Sequence, residues 1–160
     1  MLDSFLGINE GEKHQLIDAI AQITVLVAGA DGTIDTTEVS WAEKLTKIRA
    51  YSNDELLNEY YGYVGDEFES KLNELIKELP EEVDARNAVL TERISSINSI
   101  LAKLDNLHAS SLYSSFVSFA EHVAKASGGF LRMWNVSSEE KAVMSLPMLD
   151  VVERIEEEEE

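Results

Sequence analysis

Residues 28–38, Ala-Gly-Ala-Asp-Gly-Thr-Ile-Asp-Thr-Thr-Glu, constrain the fold more than any other stretch of the chain. They predict that one apolar helix ends, the chain turns sharply and a second helix begins. Gly32 suits the left-handed residue that closes a helix, and Asp35-x-x-Glu38 is a capping box for the next helix. Neither cap requires Asp31. Its negative charge lies at the C-terminus of the first helix, where the helix dipole disfavours it. The stretch therefore predicts a helix–turn–helix unit with an acidic turn.

A second, degenerate copy of this unit follows 96 positions later. At that offset the apolar positions of the two preceding helices coincide, and Gly32 is aligned with Gly128. The second copy then contains about five additional residues, 131–135, after which Glu140 takes the position of Glu38. The repeat predicts two related units built around two central helices.

Composition favours an all-α fold. The chain of 160 residues has two prolines and eight glycines, and the stretches between them are rich in residues that favour helix. The periodicity predicts a single-domain bundle over 1–155 with about seven helices, and an acidic, disordered tail at 156–160. We place the helices at 11–28, 36–51, 55–63, 66–79, 81–107, 109–126 and 138–154, the last of them kinked or split by Pro147.

The net charge excludes some classes of partner. It is −18, and −13 without the five terminal glutamates, so the surface would repel nucleic acid and favours cations or basic protein partners. There is no cysteine, which excludes disulfides and thiol catalysis. No apolar segment is long enough to span a bilayer, and the N-terminus lacks a signal-peptide pattern, so we expect a cytoplasmic protein.

The predicted helix 81–107 carries an apolar seam. Its residues alternate four- and three-residue spacings, which is typical of a face that packs against another helix. We favour an internal packing face, and the alternative is a homodimer seam. The residues are Leu90, Ile94, Ile97, Leu101 and Leu104.

The acidic turn also matches the second half of an EF-hand loop. Asp31-Gly32 is followed by Ile34 at the apolar position and by Glu38 at the position that closes the cation cage. The first half of that loop is missing, because Val27 and Gly29 stand where its first side-chain ligands would be. Such a half-loop supplies too few oxygens for a cation unless water or the second repeat completes the set.

The turn at 28–38, together with its weaker copy over 124–140, resembles the TerB-like family. These are helical domains associated with tellurite resistance and also found at the start of membrane-anchored DnaJ-type co-chaperones. The similarity extends over about residues 11–152. It implies an all-helical bundle of two repeats, acidic turns associated with divalent cations, and a stress-response or scaffold role without known catalysis.

The resemblance also implies a set of site residues. Carried over residue by residue, it assigns Asp31, Asp35 and Glu38, with Glu140 from the second repeat, to a site for Ca²⁺ or another divalent cation. Ser127 stands where the second copy would repeat the aspartate, and the insertion displaces Glu140. The second turn therefore departs from the first.

Other candidate chemistry is limited. Met133 and Trp134 in the insertion are residue types enriched at binding surfaces, so they either anchor a protein partner or fold back on the core. We interpret His122 as a hydrogen-bonded core or boundary residue rather than a ligand. The serines at 95–96, 110–111 and 114–115 lie on predicted helices without an evident base.

These observations predict a non-enzymatic, TerB-like binding or scaffold module. Two alternatives stay open. A metal-dependent hydrolase would use the acidic turn, and a structural dimerisation domain would use the seam of the helix at 81–107.

Overall fold

The computed structural model describes residues 1–52, 55–126 and 138–155. All of the regular structure in these ranges is helical, which confirms the all-α class. The elements are α1 (Glu10–Ala28), α2 (Thr36–Ala50), α3 (Glu55–Glu78), α4 (Val83–Ser95), α5 (Ile97–Leu101), α6 (Asn106–Ala124) and α7 (Ser138–Val143).

Helix α1 is the centre of the bundle and packs against each of the other described helices. Its N-terminus is fixed by the expected capping box, in which the Glu12 amide donates to Asn9 Oδ1 at 2.8 Å and the Asn9 amide donates to Glu12 Oε1 at 3.1 Å. From Leu16 to Ala28 nearly every side chain is buried. Such an apolar helix is stable only when other helices surround it, and this determines the architecture.

Helix α6 is the second long apolar helix and packs against α1, α2 and α3. Asp105 caps it by accepting from the His108 amide at 2.8 Å. Its inward face consists of Leu112, Phe116, Phe119 and Val123, all fully buried.

Helix α3 corrects the sequence prediction, which divided this region into helices at 55–63 and 66–79. The structure has one helix of 24 residues that runs through Gly62 and Gly65. Each glycine costs about 1 kcal/mol in a helix interior. The burial of apolar side chains before and after the two glycines offsets this cost. Gly65 faces α2, and a Cβ there would lie 3.4 Å from Thr46 Oγ1, which is an ordinary van der Waals contact.

The predicted helix 81–107 is shorter and interrupted. Helices α4 and α5 are separated by Ser96, whose backbone keeps a right-handed helical conformation (φ −63°, ψ −19°). Counted as one interrupted helix, they leave six helices in the described residues rather than about seven. The seam residues Leu90, Ile94, Ile97, Leu101 and Leu104 are at most 8 % exposed, which confirms the internal packing face.

The predicted helix at 138–154 is wrong beyond its first turns. Helix α7 ends at Val143, before Pro147, which has no amide hydrogen to continue a helix. Leu146 and Leu149 are buried in the core, and the chain then continues without helix to residue 155. We call residues 148–155 the C-terminal segment. None of the described helices combines the length and apolarity that a membrane span needs.

Candidate acidic site at the first helix turn

The turn between α1 and α2 forms as the sequence indicates. Gly32 has a φ of +104°, and the Thr33 amide donates to Asp31 Oδ1 at 3.2 Å. Asp35 caps α2 by accepting from the Glu38 amide at 3.0 Å. A hydrogen-bonded turn therefore holds the carboxyl groups of Asp31, Asp35 and Glu38 at the start of α2.

Glu38 does not complete the capping box. The Asp35 amide, which a capping-box glutamate would bind, instead donates to the Ala28 carbonyl at 3.0 Å. The Glu38 side chain is therefore not needed at the cap, and it lies in the interior with no exposed surface.

Glu38 meets Glu140 of α7. Glu140 is 6 % exposed, and its side chain is hydrogen-bonded to that of Glu38. Burial raises the pKa of Glu140 to about 7, and the negative charges of Asp31, Asp35 and Glu139 add to this, although the hydrogen bond with Glu38 opposes it. The structure thus brings together the two glutamates that the repeat aligns with each other.

Two carboxyl groups in contact share one proton, because both cannot stay ionised in a buried site. Their oxygens also suit a hard divalent cation. Among the described residues, however, no group of three or more acidic, histidine or cysteine side chains is arranged to hold a metal ion. The arrangement therefore fits a shared proton as it stands, and a cation would have to complete its coordination with water.

The other predicted ligands lie at the edge of this pair. Asp31 is exposed and Asp35 is half-buried. They act on Glu140 through their charge, which raises its pKa. Met133 and Trp134 lie outside the described residues.

Arg86 is a residue of this region that sequence reasoning missed. Its guanidinium is buried and donates from Nη2 to the Gly29 carbonyl at 2.6 Å, so it caps the C-terminus of α1. A Cβ on Gly29 would lie 2.7 Å from that nitrogen, so the glycine makes room for the arginine. The only signal in the sequence was Asp31 at the C-terminus of a helix, where the dipole disfavours negative charge and a nearby positive charge would compensate for it.

Two of the three histidines, His108 and His122, are hydrogen-bonded to α6 or its N-cap. His108 is buried and its Nδ1 lies 2.9 Å from Asp105 Oδ1. His122 Nδ1 lies 2.7 Å from the Ser118 carbonyl oxygen, so it is hydrogen-bonded as expected. Its side chain is exposed, however, and it is not a core residue.

A scan against protein-family models, a search of curated proteins and a search of solved structures each find no match for this chain. The TerB-like resemblance stays a prediction from the turn motif.

Proposed function

We propose that this protein is a non-enzymatic binding or scaffold module of the TerB-like kind, closed by a carboxyl pair that responds to protons and divalent cations. The observation that carries the proposal is the buried hydrogen bond between Glu38 and Glu140. It joins the acidic turn of the first unit to α7 of the second, so the ionisation of this pair bears on how tightly α7 is held.

The pair is the natural place for a cation. Glu38 and Glu140 would hold it, with Asp31 and Asp35 contributing negative charge from the edge. A divalent cation would neutralise both carboxylates where a proton neutralises only one. Stress-response function, as in the family that the turn resembles, is part of the same proposal.

A hydrolase and a dimerisation domain have less support. Glu38 has no exposed surface, so a substrate could not reach it without rearrangement of the turn. The seam over 90–104 is already covered within the chain, so it offers no free face to a second copy.

Thermal unfolding tests the cation proposal. Calcium, magnesium or manganese at about 1 mM should raise the melting temperature of the wild type through linkage, and Glu38→Gln should abolish the gain. Glu69→Gln, an exposed glutamate on α3, is the matched control and should keep it. A wild-type melting temperature that none of the three ions changes would contradict the cation proposal.

Met133 and Trp134 are our proposed anchors for a protein partner. Trp134→Ala should then leave the free energy of unfolding nearly unchanged, because an exposed anchor adds little to stability. The measurement belongs in a Trp41→Phe background, since Trp41 is 37 % exposed and also fluoresces. A loss of about 3–5 kcal/mol would show that Trp134 is a core residue instead.

A further inference from the structure

A cleft of about 430 Å³ that is lined by arginine and serine side chains contrasts in charge with the acidic turn. Its walls come from α2, α3, α6 and the C-terminal segment, and they carry Arg49, Arg154, Ser111, Ser114, Ser115 and Ser118. None of its described lining residues is acidic, in a chain that has 31 acidic residues. The cleft is therefore a local positive site on an acidic protein.

Arg49 supplies a half-buried positive charge whose hydrogen-bond partners among the described residues are all neutral. Its Nη1 donates to Tyr61 Oη at 2.8 Å and to the hydroxyl and carbonyl oxygens of Ser115 at 2.9 Å, and its Nη2 donates to Ser118 Oγ at 3.0 Å. The guanidinium also stacks on the rings of Tyr61 and Phe119. No carboxylate in the described ranges forms an ion pair with Arg49, so its charge is held in place without being neutralised.

The serines line one face of α6. Positions 114 and 115 each lie three or four residues from 111 and from 118, so these serines share one face of the helix. Hydroxyl groups that accept from an arginine can donate their own hydrogen to a ligand oxygen. The face thus presents several donors beside one guanidinium.

Arg154 brings a second guanidinium from the C-terminal segment. Two asparagines fix that segment by its backbone: Asn98 bonds the Met148 carbonyl at 3.0 Å and the Asp150 amide at 2.8 Å. Asn106 bonds the Glu153 carbonyl at 2.9 Å and the Ile155 amide at 2.7 Å. Arg154 lies between the two residues that Asn106 holds, and it has no ion-pair partner in the described part of the chain.

We propose that this cleft binds a small molecule that carries a phosphoryl group. Guanidinium groups and hydroxyl donors match the several oxygens of a phosphate, and the volume lies in the usual range for small-molecule sites. Repulsion from the acidic remainder of the protein is screened over about 8 Å at physiological ionic strength, so the local arginines dominate. Asn106 is a positioning residue, because it acts through Arg154.

Calorimetric titration of the full chain tests the proposal, with inorganic phosphate, ribose 5-phosphate and ribose as probes. We expect the two phosphoryl compounds to bind with a Kd of about 1 mM or tighter and ribose not to bind. Tighter binding of ribose 5-phosphate than of phosphate would indicate a phosphorylated metabolite, and equal binding would indicate a site for the phosphoryl group alone. No binding of either compound, or equal binding of ribose, would overturn the proposal.

Variants locate the site. Arg154→Ala should weaken binding at least about tenfold and should not unfold the protein, because Arg154 is exposed. Arg93→Ala removes the same charge at a separate ion pair with Glu78 and should leave the affinity unchanged. Asn106 does not line the cleft, but it holds the backbone on both sides of Arg154, so Asn106→Ala should also weaken binding. A purely structural role of Arg154 would leave the affinity of Asn106→Ala unchanged. Equal losses in Arg154→Ala and Arg93→Ala would show a non-specific charge effect and would contradict the proposal.

Discussion

Glu38 has no capping function for its side chain, because the Asp35 amide donates to the Ala28 carbonyl instead. Because the Asp35 amide is already bonded to Ala28, the carboxyl group of Glu38 turns inward and meets Glu140. The sequence predicted these residues as part of one site, since both repeat alignment and resemblance selected them. It could not predict the burial of the pair, because Asp35-x-x-Glu38 reads equally well as a complete capping box.

The pH dependence of stability should report on this pair. Burial raises the pKa of folded Glu140 from 4.5 to about 7, so the stabilisation by its proton is full below 4.5 and is lost as the pH rises through about 7. The loss should be on the order of 3 kcal/mol, and Glu140→Gln, which stays neutral, should remove it. Urea unfolding of both proteins across this interval measures the difference, and parallel curves would contradict the assignment.

Gly29 and Gly62 offer a matched pair of substitutions. Gly29→Ala places a Cβ 2.7 Å from Arg86 Nη2 and 2.9 Å from the Val25 carbonyl, so it should destabilise the protein by about 1–3 kcal/mol. Gly62→Ala meets nothing within 4 Å inside α3 and should stabilise by about 0.5–1 kcal/mol. Denaturant unfolding of the two variants checks both signs. A neutral Gly29→Ala would show that Arg86 does not need the space.

Sequence periodicity predicted the bounds of a helix correctly where one apolar face was continuous. It predicted them wrongly where tertiary packing outweighed a local signal such as a glycine. The bounds of α1 and α2 were predicted to within a residue or so, because caps and a glycine turn flank them. Helix α3 continues through Gly62 and Gly65 because its buried aromatic residues lie on both sides of them. The C-terminal segment was missed because its main-chain bonds to Asn98 and Asn106 leave no periodic pattern.

Residues 150–155 of the C-terminal segment should detach when the asparagines are removed, while Leu149 stays in the core. Asn98→Ala removes the acceptor of the Asp150 amide, and Asn106→Ala removes that of the Ile155 amide. Hydrogen exchange at these amides should accelerate, while global stability falls by only about 1 kcal/mol for each variant. Unchanged exchange at both amides would show that the segment is held by other contacts.

At the scale of the whole molecule, the helical bundle carries two sites of opposite charge, the acidic turn and the arginine–serine cleft. The acidic turn contacts α7 through Glu140, and the arginine–serine cleft is lined in part by the C-terminal segment that follows α7. The strongly negative composition pointed to cations and basic partners, and it concealed the cleft, because net charge says nothing about where thirteen basic residues lie. The cleft depends on long-range packing between α2, α6 and the chain end, which no local pattern encodes.

The most direct test of the account is a carbon-13 NMR titration of the glutamate carboxyl groups. We predict one glutamate that titrates near 7 in the wild type and disappears in Glu140→Gln, and whose apparent pKa falls when a divalent cation competes with the proton. The exposed glutamates provide internal controls in the same spectra. If every glutamate of the wild type titrates near 4.5, Glu38 and Glu140 do not share a buried proton, which contradicts the proposed carboxyl pair.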